Sequence, residues 1–269
     1  MRIVTSLCLV LGGCGSPGAS NDGGADGAGQ DAVDASVCAT ALECLPGETD
    51  QIVVCGVLLD AADGSEVAGD IIDIVAYDPL ELGASPQDAE PVGSSTPDDC
   101  GGFRLVLPWD AFPSSFVAVV AERPAAYVRS SVSVAVPTSR TTGVVALAVR
   151  TETDVAWSDC AFGAAASPFS ERGTVLLILE HEGAPLSGVT VTGASAPDLL
   201  YLTGDTASER ACAEESGPTG ANGSVLLTNG GHSIGMTGGE PLDCSWDTGL
   251  LTGPITGLYS TMRFRPTCP

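Results

Sequence analysis

Short apolar runs punctuated by Gly, Pro, Asp and Ser recur along this chain. In the first half they are Ile52 to Leu59, Ile71 to Tyr77, Phe103 to Leu107, Phe116 to Ala121, Val128 to Val136 and Thr142 to Val149. In the second they are Gly173 to Leu179, Gly188 to Thr192, Ser224 to Thr228, His232 to Met236 and Ser260 to Phe264. Their length, their Val, Ile, Leu and Thr content and their flanking turn residues predict strands. Val128 to Val134 alternates in part, as a strand with one wet face does. No amphipathic helix longer than about 12 residues is visible, and Ala161 to Ala166 is too short to stand alone. The pattern predicts an all-β fold of two Ig-like β-sandwich domains in tandem.

The two halves read as one module used twice. In the first, a strand ending in Leu58-Leu59 leads to a turn at Asp63-Gly64, then Val67-Ala68-Gly69 and a strand through Ile74. A turn at Thr96 then enters Gly101-Gly102-Phe103-Arg104-Leu105. In the second, Val175 to Leu179 leads to Gly183-Ala184-Pro185-Leu186-Ser187-Gly188-Val189-Thr190-Val191, and later to Thr219-Gly220-Ala221-Asn222-Gly223-Ser224-Val225. This order resembles the carboxypeptidase regulatory-like, or transthyretin-like, β-sandwich over most of residues 50 to 150 and 173 to 240. The first half departs from it, with an insert around Pro79 to Pro97 and Cys100 inside the turn. The resemblance implies a folding, adhesion or ligand-contact module with no catalytic residues; a fold alone does not assign a function.

The N-terminus predicts an address. Arg2 precedes the mostly apolar Ile3 to Leu11, about the length of a signal h-region and far short of the roughly 20 residues that span a bilayer. It ends in Leu11-Gly12-Gly13-Cys14, which resembles the lipobox of bacterial lipoproteins. The resemblance implies cleavage before Cys14 and a diacylglyceryl group on its sulfur, and durable anchoring takes more than one acyl chain. Gly15 in place of Asp favours the outer membrane in such families. Residues 14–37 then read as lipidated Cys and tether, rich in Gly, Ala, Asp and Ser with little to bury. Asp22, Asp26, Asp31 and Asp34 lack the spacing of a calcium loop. The expected organisation is a signal peptide over 1–13, the tether over 14–37, and sandwiches over 38–152 and 153–269.

Ten Cys occur. Setting aside Cys8 in the signal and Cys14, an even set remains: Cys38, Cys44, Cys55, Cys100, Cys160, Cys212, Cys244 and Cys268. Even parity in an exported chain predicts a disulfide framework, and the absence of a C-x-x-C pair argues against zinc or thioredoxin-like chemistry. Four fall in each half, which leaves three connectivities per domain. Our expected pairs are Cys38–Cys44, Cys55–Cys100, Cys212–Cys244 and Cys160–Cys268.

Composition removes several chemistries. All ten basic residues are Arg, so Schiff-base, P-loop-lysine and Ser–Lys mechanisms are excluded, as is a Lys–Asn crosslink. With 34 acidic residues and a net charge of −24, nucleic acid and anionic surfaces are disfavoured as partners. Gly231-His232-Ser233-Ile234-Gly235 matches G-x-S-x-G, but a nucleophile elbow needs a following helix, which Met236 to Pro241 would begin poorly. No His follows His232 to complete a triad in that chain order. A Ser233 hydrolase is therefore carried only as a contrast, and no enzyme, cofactor or metal site is expected.

His181 and His232 could share a metal only if the fold brought them together. Asp60, Asp63, Glu66 and Asp70 read as a solvated Asp-Gly turn in preference to a calcium site. Carboxylate pairs suited to a glycosidase would arise by accident among so many acids. With 3 Trp, 4 Tyr and 6 Phe, rings for stacking sugars are scarce. Trp109 and Phe112, in Pro108-Trp109-Asp110-Ala111-Phe112-Pro113, are the ligand-contact candidates, although a core role is favoured for all three Trp. Trp157 and Trp246 are expected to pack near Cys160 and Cys244. The expected function is a lipid-anchored, non-catalytic binding or adhesion module of the envelope, in contact with the bilayer through Cys14 and with an envelope protein or glycan. The alternative is a structural spacer or assembly subunit.

Overall fold

The computed structural model describes residues 44–68, 72–112, 116–122, 126–163, 167–193, 198–206, 209–212, 217–228, 235–240 and 257–264. Our expectations for the signal segment, Cys14, the tether, Cys38, Asp70, His232, Ser233, Cys244, Trp246 and Cys268 lie outside the described residues, as does the side chain of Cys212.

Strands β1 (Gln51–Asp60), β2 (Asp73–Tyr77), β3 (Gly93–Ser95), β4 (Gly102–Pro108), β5 (Phe116–Glu122), β6 (Tyr127–Val128), β7 (Ser130–Ala135) and β8 (Thr141–Arg150) build the first half. A short helix α1 (Pro79–Ala84) lies between β2 and β3, started by Pro79 and capped by the Asp78 carboxylate on Leu80 N–H. One sheet runs β4-β1-β8-β6 and the facing layer β7-β5-β2-β3. β4 shows why: Phe103, Leu105 and Leu107 are buried while Arg104 and Val106 are exposed, a period of two that gives the strand one wet face. These side chains meet Val117, Val119, Val132 and Val134 from the other layer in a single core.

The second half begins with helix α2 (Thr151–Phe162) and the one-turn α3 (Phe169–Arg172). Strands β9 (Thr174–His181), β10 (Ala184–Pro185), β11 (Ser187–Thr192), β12 (Leu199–Thr203), β13 (Ala211–Cys212), β14 (Ser224–Thr228), β15 (Gly235–Glu240) and β16 (Tyr259–Phe264) follow. β9 carries seven buried residues in a row, Thr174 to Glu180, so it does not alternate in sequence. Val175, Leu177 and Leu179 enter the core against β11 and β15, while Leu176 and Ile178 enter a second core beneath α2. The β9–β10 hairpin turns on Glu182 (φ 50°) and Gly183 (φ 85°), the two positive-φ positions of a type I′ turn. The chain is thus all-β with sandwich layers, as its pattern predicted.

The repeat is visible bond by bond. In the first half Leu58 N–H donates to Gly101 C=O at 2.8 Å and Leu58 C=O accepts from Val67 N–H at 3.0 Å. In the second, Leu179 N–H donates to Gly223 C=O at 2.9 Å and Leu179 C=O accepts from Leu186 N–H at 2.8 Å. Each half also sets its first strand beside its last in parallel, β1 with β8 and β9 with β16. Counting back from the glycine, the residue opposite Thr219 is Pro97 rather than Thr96; both Pro97 and Thr219 are buried, whereas Thr96 is exposed.

The halves are joined edge to edge. β16 pairs with β9 on one side and with β7 of the first half on the other, parallel to both: Tyr259 opposes Ser130, Ser260 opposes Ser131 and Thr261 opposes Val132. This makes one long sheet, β13-β12-β14-β9-β16-β7-β5-β2-β3, with β10 beside β9. A core shared by Leu147 and Val149 of β8, Trp157 of α2 and Leu176, Ile178 and Leu226 backs the joint. Buried Arg210 donates to Ala61 C=O at 3.1 Å, and its own N–H to Ala62 C=O at 2.6 Å, tying the second half to the end of β1. The described residues accordingly belong to one compact unit.

Candidate functional site

Among the described residues the cleft of interest lies at the N-terminal ends of β1 and β8. It holds about 430 Å³ and is walled by Pro46 to Thr49 with Gln51 on one side and by Thr138 to Thr141 on the other. The first wall is braced by a disulfide between Cys44 and Cys55, with a Cα–Cα distance of 5.6 Å. Gln51 N–H donates to Glu48 C=O, and the Gln51 amide oxygen accepts from Glu48 N–H at 3.0 Å, closing the loop on itself.

The second wall turns on Arg140. Its N–H donates to Pro137 C=O and its C=O accepts from Val53 N–H, both at 2.8 Å, so its backbone is fixed at each end. Its φ is 56°, a left-handed conformation that costs a non-glycine residue about 1–2 kcal/mol. The guanidinium lies over the Trp109 ring, 4.4 Å from the centroid. Trp109 opens a 3-10 turn after β4, anchored by its N–H to Asp50 C=O at 2.9 Å. Arg140 lines the cleft, and Trp109, which does not, stacks on it. The Trp109 ring face is therefore already occupied by a cation, the arrangement of a cation–π pair.

Phe112 is corrected outright. It is 5% exposed and belongs to the first-half core, so it is a packing residue and not a ligand contact. Trp109 keeps 36% exposure. Trp157 is buried as expected, in the core shared by the two halves, with its indole N–H donating to Arg210 C=O at 3.3 Å. Arg140 drew no attention in sequence, because nothing in Pro137-Thr138-Ser139-Arg140 announces a positive φ or a stacked ring.

The disulfide expectations Cys38–Cys44 and Cys55–Cys100 are also corrected, since Cys44 is bonded to Cys55. Arg104 is the residue opposite Cys55, so Cys100 sits four positions further along, roughly 13 Å in the strand direction and beyond disulfide reach. Cys100 and Cys160 are both disulfide-bonded.

The acidic turn is committed to its own structure. Buried Asp60 accepts from Ala62 N–H at 2.8 Å and faces Arg150 Nε at 2.7 Å; that carboxylate raises the Arg150 pKa above its ordinary value. Asp63 accepts from Ser65 N–H at 2.8 Å, and this bonding to Ser65 holds its carboxyl below the usual range. No group of three or more His, Cys, Asp or Glu among the described residues could hold a metal. His181 ends β9 with its Nε2 4.0 Å from Glu182, and Gly235–Glu240 is strand β15, where a nucleophile elbow at Ser233 would need a helix.

One buried polar cluster escaped sequence reading. Asp154 on α2 accepts from Tyr259 O–H at 2.8 Å and from the Ser170 hydroxyl and N–H, while Ser158 accepts from Phe169 N–H at 2.6 Å. Two side chains of α2 thereby cap the orphan N–H groups of α3. Burial, and then the neighbouring Asp154, push the Tyr259 pKa well above its ordinary value. With Tyr259 and Ser170 as its partners, Asp154 is satisfied inside the protein, and this cluster holds the fold together.

Protein-family models and curated proteins give no match to this chain. Among solved structures it is similar to the shaft pilin SpaA of Lactobacillus rhamnosus GG, at 12% identity and a TM-score of 0.24 over 81% of this chain and 98% of that one. The minor pilin GBS52 of Streptococcus agalactiae is similar at 11% identity and a TM-score of 0.25 over 81% and 96%. A DUF3823 family protein of Parabacteroides merdae is similar at 13% identity and a TM-score of 0.25 over 66% and 79%. Scores this low do not establish a shared arrangement of strands.

Proposed function

We propose that this protein is a lipid-anchored, non-catalytic module of the bacterial envelope, held through Cys14, that binds or adheres there. The observation that carries the reading is the joint at β16. A flexible tandem would present two independent domains, whereas β16 pairs with a strand of each half and a shared core backs it. Interfaces that are apolar and continuous with the sheet suppress the relative motion expected of linked domains. A binding or assembly module gains a fixed orientation of its two halves from such a joint.

The lipobox-like Leu11-Gly12-Gly13-Cys14, the disulfide framework and the absence of Lys support the same address and the same lack of chemistry. Among the described residues no helix is long and apolar enough to cross a membrane. The reading is tested by expressing the full chain and its Cys14→Ser variant in a bacterial host with an acyl-chain label. Label on the parent alone, with the variant released from membranes, is the expected result. Equal labelling or equal release removes the anchor. Retention of the purified chain on envelope material, before and after protease, then separates glycan or lipid ligands from protein partners.

A further inference from the structure

We propose that Arg140 is the ligand-contact residue of the cleft, with Trp109 positioning it, and that the ligand is a saccharide carrying a carboxylate. The inference rests on the binding reading above and gives it a ligand class.

Most of the described arginines have a hydrogen-bonded partner within the protein. Arg129 and Arg263 bond to Glu122 and Glu180, Arg150 faces Asp60, Arg210 donates to Ser224 and Ala61, and Arg104 and Arg172 donate to backbone carbonyls. Arg140 alone of these has no hydrogen-bonded or ionic partner for its guanidinium among the described residues, though the chain has 34 acids to offer. Stacking on Trp109 orders the group without using any of its five N–H donors. A cation ordered in advance with its donors open is suited to a planar oxyanion, which an Arg fork grips bidentately. Arg140, with its strained backbone, is one of the residues that line the cleft.

The rest of the lining selects the carrier. Thr49 and Thr138 offer hydroxyls and Gln51 its amide N–H groups, while the Ser139 and Thr141 hydroxyls, which donate to each other's C=O, can still accept; Pro46 is the one lining residue with a hydrocarbon side chain. Sugar hydroxyls match such a wall. The chain's charge of −24 penalises ligands of many negative charges, which favours a saccharide bearing a single carboxylate. Glu48 also lines the cleft and opposes the carboxylate.

The experiment is calorimetric titration of the oxidised full chain with an oligosaccharide ending in one uronic acid, and with the same sugar after its carboxyl is reduced to an alcohol. The acid is expected to bind at least tenfold more tightly than its reduced form. Arg140→Gln should remove that difference while the chain stays folded, as read by circular dichroism. Trp109→Leu should weaken binding several-fold, Trp109→Phe should restore most of it, and Glu48→Gln should tighten it. Equal binding of the two sugars, no binding of either, or an Arg140→Gln chain that binds as the parent does would overturn the proposal. So would tighter binding of a peptide with a free C-terminal carboxylate. A chain that labels at Cys14 and stays on envelope material but ignores the uronate keeps the anchored-module reading and loses this one.

Discussion

Tyr259 on the last strand donates a 2.8 Å hydrogen bond to Asp154, 105 residues earlier on α2, and both are fully buried. The pair sits where the two halves share a core, with Tyr259 opposite Ser130 of the first half and Thr174 of the second. Tyr259→Phe keeps the ring but strips a donor from a buried carboxylate. Leaving such a group short of a partner costs about 1–3 kcal/mol. We expect a loss of that size in denaturant titration. The transition should stay single, because β16 is bonded to both halves. Two separated transitions in the parent chain would show that the joint does not couple them.

The same bond makes a pH prediction. Burial and Asp154 raise the Tyr259 pKa well above its ordinary value, and burial followed by the bond to Glu122 raises Tyr77. The unfolded chain therefore loses these protons first, near pH 10. The stability they contribute is fully present below about pH 10 and is lost as pH climbs from there toward the folded-state values. Unfolding free energy should fall steeply above pH 10, and the fall should be shallower in Tyr259→Phe. Phenolate absorbance should show a late-ionising fraction that this variant lacks. A variant whose alkaline profile matches the parent's would exclude Tyr259 as the source.

Gly101 and Gly223 should respond alike to substitution. Both have positive φ, 72° and 60°, and a Cβ would stand 2.6 Å from Leu58 O in one case and 2.5 Å from Leu179 O in the other. A non-glycine residue in this region costs about 1–3 kcal/mol before the clash is counted. Gly101→Ala and Gly223→Ala should each lower stability by at least that much. Gly83→Ala, in helix α1 with nothing within 4 Å of a Cβ, should be neutral or stabilising by up to about 1 kcal/mol. If one of the first pair is tolerated and the other is not, the two turns are not equivalent.

Strands were legible because most carry a run of β-formers between turn residues, and the repeat was legible because each half places a glycine turn, at Gly101 and at Gly223, where its chain returns to the first strand. Leu199–Thr203 was missed: Leu199 and Tyr201 are buried in the sandwich core and Leu200 and Leu202 beneath α2, so no alternation marks the strand. Helix α2 was missed for the opposite reason. Its inward face is Asp154, Trp157 and Ser158, two of them polar, and Val155 points to solvent at 40% exposure. An apolar stripe never forms, since the face is satisfied by hydrogen bonds that sequence does not display. The joint at β16 was invisible because Tyr259 to Phe264 reads as any edge strand would. At the cleft, the ring Trp109 was visible and its partner was not. Ring chemistry can be read from one residue, whereas stacking depends on where a turn 31 positions later brings Arg140.

The Cys44–Cys55 bond gives the last prediction. Its partners are 11 residues apart, and closing a loop of that length stabilises a chain by about 3 kcal/mol in the chain-entropy account. Cys44→Ser with Cys55→Ser should therefore lower the stability of the oxidised protein by roughly 2–4 kcal/mol. It should also loosen the wall formed by Pro46 to Gln51, so proteolysis of the native protein should gain a cut site there while the β9–β14 region stays resistant. Non-reducing peptide mapping of the parent should recover Cys44 and Cys55 in one linked pair and both Cys100 and Cys160 in disulfides. A free thiol at any of these four, or a peptide joining Cys55 to Cys100, would contradict the arrangement and reopen the first cysteine connectivity.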